Sequence, residues 1–274
     1  MFKTKTVKIP QLIAEIHEIV KPFGFIAGGA VRSLLNSEEI QDIDIFLHEP
    51  KFRHSVRDVL LENGYREQYH NAIVTRFQKL RVCTKCNHPD DTKNKTCQTE
   101  HYQSAGFEGG DGHWVKCNCK CEFFTKTINV DLIEPREGEH VKTFGTPEEV
   151  ISNFDFSVCR GALVNVISSE ELSWAGLLKT KHNDGVVLID EDLEKDIKTK
   201  TLRIKHIVCP VGSMRRAFKY QVKGYHLPTC EMVKLFREWE SRSELDKAEM
   251  ESLLSNNNLS EEDLNRLYLL MKMD

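Results

Sequence analysis

Long apolar stretches are missing from the start of this 274-residue sequence, and the chain has no overall excess of basic charge. The first twenty residues contain no unbroken apolar run, so we expect neither a signal peptide nor a membrane-spanning helix. A formal net charge of -4 argues against a surface that binds nucleic acid all round. With 40% hydrophobic and 29% charged residues, the composition is typical of globular proteins. We therefore expect an intracellular, cytoplasmic protein that does not contact a membrane.

The pattern of apolar residues divides the chain into three parts. Strand and helix patterns in residues 1–80 and 123–190 predict one discontinuous α/β (α+β) domain with a mixed sheet and flanking helices. Residues 81–122 have almost no large aliphatic side chains, so this insert between two strands needs something other than apolar burial to order it. Residues 191–274 have helical patterns nearly throughout, which predicts a helical C-terminal region.

Acidic residues on two predicted strands are candidates for a metal site. Asp42 and Asp44 share one strand face because alternate residues of a strand project to the same side, and Asp131 lies in a second alternating run. Carboxylates held close together repel unless a cation neutralises them, and their oxygens suit Mg²⁺ bound with substrate phosphates. Phosphoryl transfer often uses two metal ions about 3.5–4 Å apart. The three acids therefore predict two Mg²⁺ ions, whereas solvent-facing acids on an edge strand are the alternative.

A glycine pair precedes the acids. Gly28 and Gly29 lie between an apolar strand and a helix that carries Arg32. Backbone N–H groups at such a turn, together with the Arg32 guanidinium, are suited to a triphosphate. A nucleoside triphosphate is therefore the expected small-molecule partner.

Residues 27–32, followed by 42–45, resemble the head-domain signature of tRNA nucleotidyltransferases and bacterial poly(A) polymerases, which belong to the DNA polymerase β superfamily. The resemblance implies a palm domain, two Mg²⁺ ions, a nucleoside triphosphate donor and release of pyrophosphate. It also implies that Asp42 and Asp44 bind metal and that Asp131 activates the acceptor hydroxyl.

The resemblance covers residues 20–165 and becomes looser beyond residue 45. Residues 153–160 are similar to the family's arginine-arginine-aspartate-phenylalanine-threonine stretch, where Asp155 fits but the two arginines are absent. The basic residues near 215–220 resemble a family helix that contacts nucleotide; they are Arg215, Arg216 and Lys219. The base-reading motif of CCA-adding enzymes is missing, so the choice of base stays open.

Six of the nine cysteines lie within the predicted insert, where their spacing is typical of a zinc site. One or two structural Zn²⁺ ions would order a segment that lacks an apolar core, and His88 or His113 are further possible ligands. A hydrolytic zinc enzyme is disfavoured because cysteine-rich ligand sets are usually closed. The other cysteines, Cys159, Cys209 and Cys230, are expected to be small core residues. The candidate zinc ligands are Cys83, Cys86, Cys97, His101, Cys117, Cys119 and Cys121.

Two functions fit these observations. The first is a metal-dependent nucleotidyltransferase that moves a nucleoside monophosphate to a hydroxyl of RNA, a nucleotide or a protein. The second is a catalytically silent palm that binds nucleic acid through its zinc insert and the basic residues of 198–223. The presence of all three acids favours the enzyme, and the sequence leaves the oligomeric state open.

Overall fold

The structure is a computed structural model, and it describes residues 1–79, 100–103, 113–116, 128–138, 141–172, 179–242, 244 and 247–248. Within these ranges no helix is long and apolar enough to cross a lipid bilayer. The strands are β1 (Phe2–Lys8), β2 (Gly24–Ala27), β3 (Asp42–Leu47), β4 (Tyr65–His70), β5 (Val74–Lys79), β6 (Glu100–Gln103), β7 (His113–Lys116), β8 (Asn129–Ile133), β9 (Glu137–Gly138), β10 (Val141–Lys142), β11 (Gly161–Leu172) and β12 (Lys179–Asp190). The α-helices are α1 (Gln11–Val20), α2 (Gly29–Leu35), α3 (Arg53–Glu62), α4 (Pro147–Ser152), α5 (Leu193–Lys198), α6 (Pro210–Val222) and α7 (Thr229–Ser241).

A mixed sheet is the centre of the fold, and in the described part of the chain it has eight strands in the order β1-β12-β11-β2-β3-β8-β5-β4. The β3–β8 pair is parallel, while the neighbouring β2–β3 and β5–β8 pairs are antiparallel. The predicted fold class, a mixed sheet with flanking helices, is therefore confirmed. Residues 80–127 join β5 to β8, which are direct neighbours in the sheet. The domain limits proposed from the sequence stay a prediction.

Strand β3 separates two apolar cores because its side chains alternate between the faces of the sheet. Ile43, Ile45 and Leu47 are fully buried in the larger core, which also contains buried residues of α1, α2 and α3. Phe46 belongs to the smaller core with residues of α4. Asp42 and Asp44 share the face of Phe46 and are only partly buried. The alternation that predicted two acids on one strand face is therefore present.

Several local predictions agree with the structure and some do not. Helix α4 begins with a capping box in which Thr146 and Glu149 exchange side chain to backbone hydrogen bonds, and Pro147 occupies its first turn. In the C-terminal region the sequence pattern predicts a helix near 191–205, and this prediction is wrong in length, since α5 ends at Lys198 and an isolated bridge then joins Phe156 and Ile204. The same pattern predicts helices near 244–255 and 260–272, which lie almost wholly outside the described residues.

Candidate active site

Four neighbouring strands place the predicted acids in one row. Asp44 is in register with Ala27 of β2 on one side and with Asp131 of β8 on the other, and Asp131 is in turn in register with Arg76 of β5. Asp42 is opposite Asn129, whose amide nitrogen lies 3.5 Å from an Asp42 carboxylate oxygen. Asp44 and Asp131 therefore lie side by side in the sheet, with Asp42 two residues before Asp44 on β3, and these three acids are called the acid row.

A pocket of about 410 Å³ opens over this row. Its walls come from the glycine turn, from β3, from residues 153–155, which precede a short 3-10 helix (Ser157–Cys159), and from helix α6. Asp131 and Arg215 do not line it, although both were predicted site residues. The predicted residues that do line it are Gly28, Gly29, Arg32, Asp42, Asp44, Asp155, Arg216 and Lys219.

Gly28 has a φ of 80°, a backbone conformation that residues other than glycine rarely adopt. A Cβ atom there would lie 3.4 Å from an Asp44 carboxylate oxygen, so the turn passes directly beside the acid. The Gly28 N–H donates to the carbonyl oxygen of Gly161 at 2.9 Å, so this amide is already used within the protein. Gly28 therefore brings the turn close to Asp44, and a phosphate would have to be bound by other groups.

Asp44 is the most perturbed carboxylate of the pocket. Burial raises its pKa to about 7, and the nearby Asp131 and Asp42 carboxylates act in the same direction. Lys219 and Arg76 oppose this shift of the Asp44 pKa. The ionised form of Asp44 is thus held at an electrostatic cost that a divalent cation would relieve.

Asp131 is held by an arginine that the sequence did not single out. The Arg76 guanidinium donates from Nε to Oδ1 at 2.7 Å and from Nη2 to Oδ2 at 2.6 Å, so both Asp131 oxygens are occupied. The Asp131 residue is only 6% exposed. Among the described residues, no three His, Cys, Asp or Glu side chains are arranged to hold one metal ion. Of the three acids predicted to bind metal, Asp42 and Asp44 line the pocket and Asp131 does not.

Arg32 is buried, and protein groups surround its charge. Its Nε lies 3.4 Å from a Glu38 carboxylate oxygen, and its guanidinium carbon lies 5.1 Å from the centre of the Tyr220 ring. Burial alone would lower the Arg32 pKa, but the nearby Tyr220, Cys159 and Glu38 raise it overall. Arg32 is thus a fixed positive charge in the pocket wall, with a carboxylate partner that the sequence did not reveal, and its contact with a triphosphate stays a prediction.

Helix α6 and the residue that follows it supply further positive charges to the pocket. Asp155 accepts a hydrogen bond from the Phe156 N–H at 3.0 Å and forms a short ion pair with Arg216. Lys219 and Lys223 also line the pocket, and the Lys223 ammonium lies 3.3 Å from the Gln41 side-chain oxygen. Asp155 therefore orients Arg216. The sequence analysis included Lys223 in the basic stretch 198–223 but not among the candidate site residues, although its spacing of four residues from Lys219 was a usable signal.

The predicted zinc ligands fall mostly outside the described residues. This holds for Cys83, Cys86, Cys97, Cys117, Cys119 and Cys121, and also for His88. His101 lies on β6, which pairs with β7, and His113 is the first residue of β7. The zinc site therefore stays a prediction.

The three scattered cysteines were expected in the core, and this is only partly correct. Cys209 is buried, and its sulfur accepts a hydrogen bond from the Gly212 N–H at the start of α6. Cys159 is half-buried in the pocket wall beside the Tyr220 hydroxyl, and burial raises the pKa of its thiol to about 11. The prediction is wrong for Cys230, which is exposed on α7.

A protein-family model described as Gad2, Gabija anti-defense 2 family protein, matches residues 4–166. The chain belongs to the Gabija anti-defense 2 (Gad2) family. The matched span includes the glycine turn and all three acids of this Gad2 member. No curated protein matches its sequence.

Solved structures similar to this Gad2 member are tRNA-directed enzymes at low sequence identity. A CCA-adding enzyme in complex with CTP is 12% identical, with a TM-score of 0.48 over 96% of this chain and 52% of the enzyme. The Thermotoga maritima CCA-adding enzyme complexed with tRNA is 11% identical, with a TM-score of 0.46 over 97% and 54%. A tRNA-processing enzyme in an apo form is 15% identical, with a TM-score of 0.46 over 97% and 58%. The chain thus spans about half the length of the CCA-adding enzymes to which it is similar.

Proposed function

We propose that this Gad2 member is a metal-dependent nucleotidyltransferase. It transfers a nucleoside monophosphate from a nucleoside triphosphate to a hydroxyl of RNA, a nucleotide or a protein, and releases pyrophosphate. The observation that carries the proposal is the placing of Asp42 and Asp44 in one pocket, opposite the cations of α6 and beside the Gly28 turn. The family description names an anti-defence role against Gabija, and we infer that the transfer serves this role.

The acids of the pocket fit Mg²⁺. Asp42 and Asp44 offer oxygen ligands of the kind that Mg²⁺ takes together with substrate phosphates. The pKa of Asp44 is raised to about 7, first by burial and then by the neighbouring Asp131 and Asp42 carboxylates. Asp131 is the third acid that the strand pattern predicts for the metal site, and the resemblance implies that it activates the acceptor hydroxyl. Bound Mg²⁺ would stabilise negative charge on the transferred phosphoryl group and favour ionisation of the attacking hydroxyl.

The positive side chains are placed to bind the triphosphate. Arg216 and Lys219 of α6 line the pocket wall with Lys223, which directly follows this helix, while Arg32 adds a buried charge. Arginine can bind a phosphate through two hydrogen bonds, and the ion pair with Asp155 fixes the direction of the Arg216 guanidinium. Binding the triphosphate between these cations and the acids would align its α-phosphate with the carboxylate row.

One observation favours the second candidate, a silent palm that binds nucleic acid. Arg76 occupies both oxygens of Asp131, which is the acid expected to activate the acceptor. A palm with a permanently neutralised third acid would still present the basic surface of α6 to a nucleic acid.

Nucleotide incorporation separates the two candidates. The full-length protein is incubated with each labelled nucleoside triphosphate, Mg²⁺ and a mixture of cellular RNA and protein. If the protein is a nucleotidyltransferase, we expect the label to appear in one class of acceptor. The double substitution Asp42→Asn with Asp44→Asn should abolish this incorporation, and the control Asp58→Asn, on the exposed face of α3, should leave the incorporation unchanged. Retained nucleic-acid binding without any incorporation would establish the silent palm instead.

A cellular assay tests the link with the family description. In cells that carry the Gabija defence, we expect the wild-type protein to relieve the defence, and the doubly substituted protein to fail at equal abundance. Equal relief by both proteins would show that the anti-defence role does not use nucleotidyl transfer.

A further inference from the structure

The Arg76 guanidinium is a positive charge bound directly to one carboxylate of the acid row, that of Asp131. Its two hydrogen bonds to Asp131, at 2.7 and 2.6 Å, form the paired geometry in which guanidinium binds carboxylate most strongly. Asp131 is in register with Asp44, the acid nearest the glycine turn. A metal ion that used Asp131 would therefore share this carboxylate with the Arg76 guanidinium and be repelled by its positive charge.

The Tyr69 ring offers the Arg76 guanidinium a second position, away from Asp131. Its guanidinium carbon lies 5.3 Å from the centre of the Tyr69 ring, and the Tyr69 side chain is well exposed on the edge strand β4. The Arg76 side chain is itself 28% exposed, whereas that of Asp131 is 8% exposed. The arginine can thus leave the carboxylate by moving toward solvent along the Tyr69 ring, without disturbing the buried core.

A second arginine–carboxylate pair lies outside the pocket and serves as a comparison. Arg53 of α3 forms two hydrogen bonds to Glu134, at 2.5 and 3.3 Å, and the side chains are 28% and 10% exposed. Glu134 also accepts a hydrogen bond from Thr75 and does not line the pocket. The two pairs match in chemistry and burial, but only the Arg76 pair is in register with Asp44.

We propose that Arg76 is a gate on the metal site. It holds Asp131 as an ion pair and lowers the affinity of the acid row for divalent cations, until its guanidinium is displaced from the carboxylate. The inference rests on the proposed nucleotidyltransferase function, because it assumes that Asp42 and Asp44 bind a divalent cation. It also reconciles the ion pair with catalysis, since the third acid becomes available only when Arg76 leaves.

Binding of Mn²⁺ to the full-length protein tests the gate. Site binding is defined as the Mn²⁺ binding that Asp42→Asn with Asp44→Asn removes, measured by electron paramagnetic resonance or calorimetry at constant pH. We expect Arg76→Gln to tighten this binding by about tenfold or more, because a neighbouring opposite charge commonly shifts a carboxylate pKa by about 1–3 units. Adding Asp131→Asn to Arg76→Gln should reverse the gain, and Arg53→Gln should leave the affinity unchanged.

The outcomes separate the inference from the function on which it rests. If Mn²⁺ binds at the acids but Arg76→Gln binds it no more tightly than wild type, the gate is wrong and the metal site stands. If no Mn²⁺ binding depends on Asp42 and Asp44, both proposals fail. If circular dichroism shows that Arg76→Gln does not fold, Arg76→Lys replaces it. Lysine lacks the paired geometry of the guanidinium, so we expect its affinity for Mn²⁺ to be about threefold above that of wild type. An unchanged Mn²⁺ affinity would overturn the gate.

Discussion

Replacing Asp44 by asparagine should make the metal-free protein more stable at neutral and alkaline pH. The pKa of Asp44 is raised from 3.8 to about 7, chiefly by burial and then by the Asp131 and Asp42 carboxylates. A raised pKa in the folded state means that the contribution of this group to stability is full below pH about 3.8. It is lost progressively as the pH rises through 7. The ionised carboxylate therefore destabilises the fold in the absence of a divalent cation.

The magnitude follows from the shift. About three pKa units correspond to about 4 kcal/mol of unfolding free energy. Asp44 is partly exposed to the pocket, so solvent screening makes about 2–4 kcal/mol the expected gain for Asp44→Asn at pH 8. Near pH 5 the gain should be no more than about 2 kcal/mol, since only part of the cost has then developed.

Urea denaturation at pH 5 and pH 8, in buffer without Mg²⁺ or Mn²⁺, measures the difference. Wild type should lose stability between the two pH values relative to Asp44→Asn, and added Mn²⁺ should restore it in wild type but not in the variant. Asp58→Asn, an exposed acid on α3, serves as the control. Parallel pH dependences for wild type and Asp44→Asn would refute the electrostatic reasoning.

Three further predictions concern the turn, the cation wall and the insert. Gly28→Ala should abolish nucleotide transfer. Gly64 has a similar positive φ but open space around it, so Gly64→Ala should keep the activity and lose only roughly 1–2 kcal/mol of stability to backbone strain. Equal activity of the two variants would exclude a special role for the Gly28 turn. Asp155→Asn should raise the KM for nucleoside triphosphate about tenfold with a smaller change in kcat, because Arg216 loses its orienting partner; an unchanged KM would show that this ion pair is only structural. Cys83→Ser should reduce the zinc content measured by inductively coupled plasma mass spectrometry, while substituting the exposed cysteine of α7 should not; zinc content equal to that of wild type would argue against the predicted site.

The acid row was predictable because it depends on short-range rules. Alternation along β3 placed Asp42 and Asp44 on one face, and the same rule applied to Asp131 on β8. Parallel pairing of the two strands, which the sequence pattern did not specify, then brought Asp44 and Asp131 into register. The glycine turn was predictable for the same reason, since its conformation is local.

Other features depended on pairings that no local pattern reveals. Strand β1 carries three lysines and exposed threonines, as expected of an edge strand, and so lacks the apolar run that would have predicted it. Arg76 meets Asp131 across 55 residues of sequence, and nothing around Arg76 distinguishes it from other strand residues. The exposure of Cys230 on α7 is a tertiary property that residue type alone does not fix.

Anomalous scattering from a crystal soaked with Mn²⁺ and a non-hydrolysable nucleoside triphosphate analogue would locate the metal and the triphosphate together. We expect manganese bound by Asp42 and Asp44, with the triphosphate lying between these acids and the cations of α6. Manganese bound away from both acids, or a triphosphate outside this pocket, would contradict it.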